Sequence, residues 1–283
     1  LAARKALEGT DVRPEDLGVL IYAGVCREGF EPATATAVAA GVGVSGGAAV
    51  YDVSNACLGV LNGIVDVANR IELGQIRAGL VTSCESARDI VETTIERLLA
   101  EPTMPRFVQS LATLTGGSGA AAVLVTDGSF GGRPKARLEG GVYRTAPEHH
   151  QLCRWGIELD GAPRRYVQTM STDSVAVLQH GVVLGLDTWR ALLAELGWTA
   201  AEVDRVVCHQ VGSGHRDQIL KALGVAAEKD FSTFPFLGNI GTVSVPLTAA
   251  LAERRGALRS GHRVAWLGIG SGLNCLMLGA RWS

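Results

Sequence analysis

The sequence predicts an α/β fold built from two similar halves. Three observations carry this: hydrophobic residues make up 47% of the 283 and charged residues only 19%, 36 glycines punctuate the chain, and one order of elements occurs twice. That order is strand, small polar turn, apolar helix, glycine, strand. It runs first through Ala48–Val53, Cys57, a helix to Ile71, Gly74 and Ala78–Ser83, and again through Phe231–Phe236, Asn239, a helix over 243–258, Gly261 and Arg263–Gly268. Two such halves would bring the N-termini of two equivalent helices together at the centre.

The elements follow in order. Leu1 to Gly9 reads as the last turns of a helix stopped by glycine, which suggests that residues upstream are missing. Asp16 to Val25 reads as an apolar strand, and Ala33 to Val42 as a small-residue helix with Pro32 at its first position. Leu58 to Ile71 carries only Asp66 and Arg70 as charges, so it should be a buried helix. Asp89 to Ala100 is amphipathic, and Ala120 to Val125 is a strand. Residues 127–168, rich in Gly, Pro, Arg and His, read as an irregular link between the halves. A long helix from Ser174 to Leu196 follows, then a strand ending at Cys208, a helix over Gly214 to Leu223, and closing strands at Arg263–Gly268 and Asn274–Gly279.

Composition excludes several classes. A net charge of −2 removes the electrostatic case for nucleic acid, and the only lysines are Lys5, Lys135, Lys221 and Lys229, so anion-gripping falls mostly to arginine. The six cysteines form no C-x-x-C pair, which argues against a zinc site or a disulfide framework and for reduced core thiols. No run is long enough to span a bilayer and no secretory signal opens the chain, so a soluble cytoplasmic protein is expected.

Cys57 stands at a strand-to-helix junction, where unpaired N–H groups and the positive helix end would favour the nucleophilic thiolate. A small core residue would look the same. His209 closes a strand and is as well suited to a structural hydrogen bond as to catalysis; Asn239, between two glycines, is also what an ordinary turn needs. Gly268-Ile-Gly270-Ser271-Gly272 lets a backbone amide approach a ligand oxygen. The Ser271 and Cys57 amides are therefore candidates for an oxyanion hole, although a tight hairpin turn has the same glycines.

Asn55-Ala-Cys57-Leu-Gly, Cys208-His209-Gln-Val-Gly-Ser-Gly, Phe236-Leu-Gly-Asn239-Ile-Gly-Thr and Leu267-Gly-Ile-Gly-Ser-Gly-Leu-Asn together resemble the thiolase superfamily. Within it the chain is similar to the ketoacyl synthase III branch, and most to OleA-type enzymes that join two fatty acyl-CoA molecules head to head. The resemblance covers Leu17 to the C-terminus; the family's first strand and helix have no counterpart. It implies a thiolase fold, with βαβαβ-type halves at 1–168 and 169–283 stacked as an α/β/α/β/α core.

It also implies roles. Cys57 carries the acyl group, His209 and Asn239 polarise the second thioester, the Cys57 and Ser271 amides hold the oxyanion, and Glu31 reaches across a dimer interface as base. Read alone, Glu31 before Pro32 is a carboxylate favouring a helix N-terminus. The expected reaction is a non-decarboxylative Claisen condensation giving a 2-alkyl-3-keto acid, with CoA thioesters as substrates, no further cofactor and no metal. The expected assembly is a homodimer or a heterodimer with a paralogue. The alternatives are a synthase III using acyl-CoA and malonyl-ACP, a subunit propping up an active homologue, and a papain-like hydrolase. The last lacks the aromatic residue after its cysteine, since Leu58-Gly59 follow Cys57.

Overall fold

The computed structural model describes residues 1–44, 46–132, 134–161 and 163–283. The first half runs α1 (Ala2–Leu7), β1 (Val19–Tyr22), α2 (Thr34–Val42), β2 (Ala49–Asp52), α3 (Gly59–Glu72), β3 (Ala78–Ser86), α4 (Arg88–Ala100), α5 (Met104–Leu114) and β4 (Ser118–Thr126). The second runs β5 (Ala136–Thr145), β6 (Cys153–Asp160), β7 (Arg165–Thr172), α6 (Ser174–Leu196), β8 (Arg205–Cys208), α7 (Ser213–Leu223), α8 (Phe234–Leu237), α9 (Ser244–Arg254), β9 (Arg263–Gly270) and β10 (Asn274–Trp282).

Two four-stranded sheets result, ordered β2-β1-β3-β4 and β5-β10-β9-β8, with β6 and β7 as a separate hairpin. In each sheet parallel strands meet one antiparallel neighbour: β1 is parallel to β2 and β3 while β4 runs against β3, and β8 is parallel to β9 while β10 runs against it. The chain is therefore internally duplicated, with β1, β3 and β4 matching β8, β9 and β10.

The core has three apolar layers. Val60, Leu61, Ile64 and Val67 of α3 and Val245, Ala249 and Ala252 of α9 pack together between Val19, Ile21 and Val81 of the first sheet and Val207, Val264 and Leu276 of the second. Burying apolar surface on both sides is what an almost uncharged helix requires. Outside, α1 and α2 cover the first sheet, where Ala3, Ala35 and Ala39 meet Leu20, Tyr22 and Leu80. On the far side α6 and α7 cover the second, where Trp189, Leu192, Leu220 and Leu223 meet Val206, Leu267 and Met277. This is the α/β/α/β/α stack that the motifs implied.

Several expectations are corrected. Residues 127–168 are not an irregular link: β5, β6 and the first half of β7 lie there, and positions 133 and 162 fall outside the described residues. Gly140-Gly141 resembled a loop, but Gly141 sits in β5 because a Cβ there would stand 2.4 Å from Leu278 Cδ2. Since β5 pairs along β10 from Thr145 opposite Asn274 to Ala136 opposite Trp282, the sheets change over before Ala136 rather than at 168. Phe231–Phe236 is not a strand; Pro235 lies in the first turn of the short α8, and among the described residues only Asp230 bridges Val206. Pro32 precedes the N-cap of α2 instead of opening the helix. Among the cysteines Cys208 and Cys275 are buried, Cys26, Cys57 and Cys153 are half-buried, with Cys57 facing a cavity, and Cys84 is exposed.

Candidate active site

The turn before α3 sets the position of Cys57. Ala56 takes a left-handed backbone, φ 44°, which costs a non-glycine residue about 1–2 kcal/mol. No side chain of its own caps α3; the Val60 N–H instead donates to Thr242 Oγ1 at 2.7 Å, from the turn before α9. The two helix mouths are thereby tied together. Opposite, Gly270 has no Cβ, and one would stand 3.4 Å from the Cys57 nitrogen and 3.2 Å from Leu58 Cγ. That bareness lets the glycine-rich turn close over the cysteine.

The thiol itself departs from expectation. Burial pushes Cys57 up to about 12, with smaller contributions in the same direction from the Cys153 thiol and the Glu85 carboxylate. The helix end therefore does not deliver a resting thiolate, because desolvation opposes the charged form more strongly.

His209 follows the last residue of β8, its N–H donating to Leu267 O at 2.8 Å. Its neighbour Gln210 is clamped. The Gln210 carboxamide oxygen accepts from the Thr233 and Phe234 N–H groups, its nitrogen donates to Phe231 O, and its backbone N–H donates to Ser244 Oγ. The imidazole is 8% exposed, and neither ring nitrogen meets a partner among the described residues. Burial lowers its pKa to about 4, so it is neutral at pH 7. Buried ring nitrogens without a protein partner leave both free to meet a ligand or a water in the cavity.

Asn239 sits in a turn made by glycines. Its backbone bridges Gly116, with N–H to Thr115 O at 2.9 Å and O from Gly117 N at 2.8 Å. A Cβ on Gly238, at φ 66°, would stand 2.4 Å from Thr115 O, so only glycine lets the strands approach. The side-chain oxygen accepts from Gly241 N–H at 3.0 Å, which assigns the amide nitrogen as the free donor.

Cys57, His209, Asn239 and Ser271 all line one cavity of about 460 Å³. Its walls come from residues 85–117 and 170–185, including Val177, Leu178, Gly181 and Gly185 on one face of α6, with Arg154, His215 and Arg216 as polar members. A mainly apolar hollow with a few converging polar groups suits a ligand with a long apolar tail and a reacting polar end. Behind Ser271, Asn274 Nδ2 donates to Asn55 Oδ1 at 3.2 Å and Asn55 Nδ2 to Asn62 Oδ1 at 2.8 Å, so carboxamides from both halves brace the cysteine turn. Glu31 is apart from these residues: it is exposed and does not line the cavity of its own chain.

Two residues of the cavity wall were not singled out from sequence. Cys153, on β6, carries no motif. Glu85 ends the β3 run Ser83-Cys84-Glu85 and looks like any polar strand end, yet it is 3% exposed. Only its partners, 60 and 59 residues away, give it meaning. No group of three or more His, Cys, Asp and Glu that could hold a metal occurs among the described residues. No helix of the described residues is long and apolar enough to cross a membrane.

Comparison with known proteins places this arrangement. Residues 193–282 match the family model described as 3-oxoacyl-[acyl-carrier-protein (ACP)] synthase III C terminal. The chain is 56% identical to an acyl-CoA:acyl-CoA alkyltransferase of Shewanella oneidensis, over 99% of this chain and 81% of that one. It is 38% identical to the enzyme of that name from Xanthomonas campestris, over 99% and 80%. A beta-ketoacyl-[acyl-carrier-protein] synthase III of Erythrobacter litoralis is 27% identical over 96% and 79%. Crystal structures of Xanthomonas campestris OleA superpose with a TM-score of 0.89 at 37% identity, covering 99% of this chain and 79% of that one, and one with bound lauric acid and lauroyl-CoA with 0.88. At these identities and coverages the chain belongs to the OleA family of acyl-CoA:acyl-CoA alkyltransferases, within the thiolase superfamily.

Proposed function

We propose that this protein condenses two long-chain acyl-CoA molecules head to head, without loss of carbon dioxide, to a 2-alkyl-3-keto acid. The observation that carries the reading is the convergence of Cys57, His209 and Asn239 on one apolar-walled cavity in a chain 56% identical to an acyl-CoA:acyl-CoA alkyltransferase. The lauroyl-CoA bound by Xanthomonas campestris OleA supports the substrate class.

The thiol sits near 12 and the imidazole near 4, so the resting pair is neutral. The proton therefore leaves sulfur as the sulfur–carbon bond to the acyl group forms, not beforehand, and CoA departs as its thiol. The Cys57 and Ser271 amides take the developing oxyanion, each such donor being worth roughly 3–4 kcal/mol. A second acyl-CoA then places its thioester oxygen against His209 and the free amide nitrogen of Asn239. Glu31 of a second copy, or of a paralogue in a heterodimer, removes the α-proton. The carbanion attacks the acyl-Cys57 carbonyl, the carbon–sulfur bond breaks, and a proton, balancing the one Glu31 took and gives up again, restores the thiol; water then hydrolyses the remaining thioester and releases CoA and the keto acid. The exposure of Glu31 in its own chain fits a residue that serves another. CoA thioesters suffice for this sequence, with no further cofactor, and the cytoplasm is the compartment that supplies them.

The rival is a synthase III that draws its nucleophile from malonyl-ACP, a class at 27% identity here. Incubation with one defined acyl-CoA and no malonyl donor separates them. Mass spectrometry should find a keto acid with two equivalents of free CoA, and a product that appears only with the malonyl donor overturns the head-to-head reading.

A further inference from the structure

Glu85 is a buried carboxylate on the cavity wall that none of these steps uses. Its Oε1 accepts from the Val25 N–H at 2.9 Å and its Oε2 from the Cys26 N–H at 3.0 Å, the first residues of the loop that leads to Glu31. No cation among the described residues pairs with it; burial raises its pKa while the two amides and the Cys26 thiol favour the charged form. On its other side the side chain lies against the Asn239 turn, where a Cβ on Gly241 would meet Glu85 Cγ at 3.3 Å. Gly241 is the residue whose N–H orients the Asn239 carboxamide. Tyr22 Oη, within reach of the Cys26 and Cys84 carbonyls, closes the same corner.

One side chain thus stands between the loop that presents Glu31 and the turn that presents Asn239. We infer that Glu85 is a positioning residue for the condensation step, holding the amides of Val25 and Cys26 against Gly241 so that Asn239 keeps its place in this chain's cavity and the loop carrying Glu31 keeps its place for the neighbouring copy's. The inference rests on the condensation proposed above. An uncompensated buried carboxylate is costly to keep, and two backbone donors sharing its two oxygens are the arrangement that offsets the cost. A glutamine cannot replace it, because its amide nitrogen would face one of the two N–H groups.

The test separates the two steps in Glu85→Gln and Glu85→Asp proteins with the chain otherwise intact. Acylation is read as the mass gain on Cys57 from one acyl-CoA together with the first equivalent of CoA. Condensation is read as keto acid formed. Both variants should acylate within about threefold of the parent while condensation falls at least tenfold, the shorter aspartate failing because it cannot span both amides. Equal loss of both steps would make Glu85 a general support of the fold, and unchanged condensation would leave it no role; either overturns the inference. Should a variant be poorly folded by thermal melting, Val25 and Cys26 amide exchange in the parent decides, protection by Glu85 being expected and rapid exchange at both counting against it. A parent that acylates but makes no keto acid from acyl-CoA alone refutes the condensation reading instead.

Discussion

Before α3 the chain reaches its helix through Ala56, a non-glycine residue held at φ 44°; before α9 the equivalent passage is made by Gly238 and Gly241, at φ 66° and 57°. The first half spends backbone strain at its helix mouth and places the Cys57 thiol there. The second uses glycine, which adopts such angles freely, and places a hydrogen-bond donor. The sheets differ as well, since β5 lies beyond β10 while nothing among the described strands lies beyond β4. On the proposed reaction, what the contrast teaches is a division of labour on one repeated frame: the half with Cys57 would form and break bonds, and the half with His209 and Asn239 would hold charge.

That division can be broken most directly at Asn239. Asn239→Ala should lower condensation by about a hundredfold or more while Cys57 still acylates, as expected for a lost oxyanion donor; equal losses in both steps would show that the halves do not divide the work. Next in size is a pH effect at His209. Its folded value of about 4 lies below the ordinary 6.5, so the unfolded chain binds a proton that the native one refuses. Stability is therefore full above pH 6.5 and declines as pH falls towards 4, by roughly 3 kcal/mol at most. Urea midpoints of the parent and of His209→Gln should diverge in that window, the variant being the flatter.

The tie between the mouths gives a smaller effect. Thr242→Val leaves the buried Val60 N–H without its acceptor and should cost about 1–3 kcal/mol in chemical denaturation. Smallest is Ala56→Gly, which relieves the left-handed strain and should leave the melting temperature unchanged or raise it by an amount worth about 1 kcal/mol or less. A lower melting temperature would mean that the Ala56 methyl, beside Gly270, contributes packing that outweighs its backbone cost.

The frame was legible because its signals are local. The α3 and α6 runs carry their apolar periodicity in contiguous residues, and α6 spans the predicted Ser174–Leu196. Gly43, Gly197 and Gly224 end helices in the left-handed conformation that glycine permits. Cys57, His209 and Asn239 were readable at strand and turn ends, and four motifs in order tied them together. What escaped was non-local. β5 disguises itself with glycines that face Leu196 and Leu278; α5 shows Met104, Phe107, Val108 and Leu111 at helical spacing, yet all four are exposed, and the helix went unread. Glu85 and Thr242 act on residues 60 and 182 positions away, and nothing in their own neighbourhoods announces it. The state of the thiol was misjudged for the same reason, since burial belongs to the assembled cavity and not to the helix that starts beside it.

The neutral sulfhydryl at rest bears on survival as well as on turnover. Peroxides and soft electrophiles attack the ionised sulfur far faster than the protonated form. Burial favours the protonated form of Cys57, so slow sulfenic-acid formation and slow alkylation of an idle molecule at neutral pH are the expected outcome.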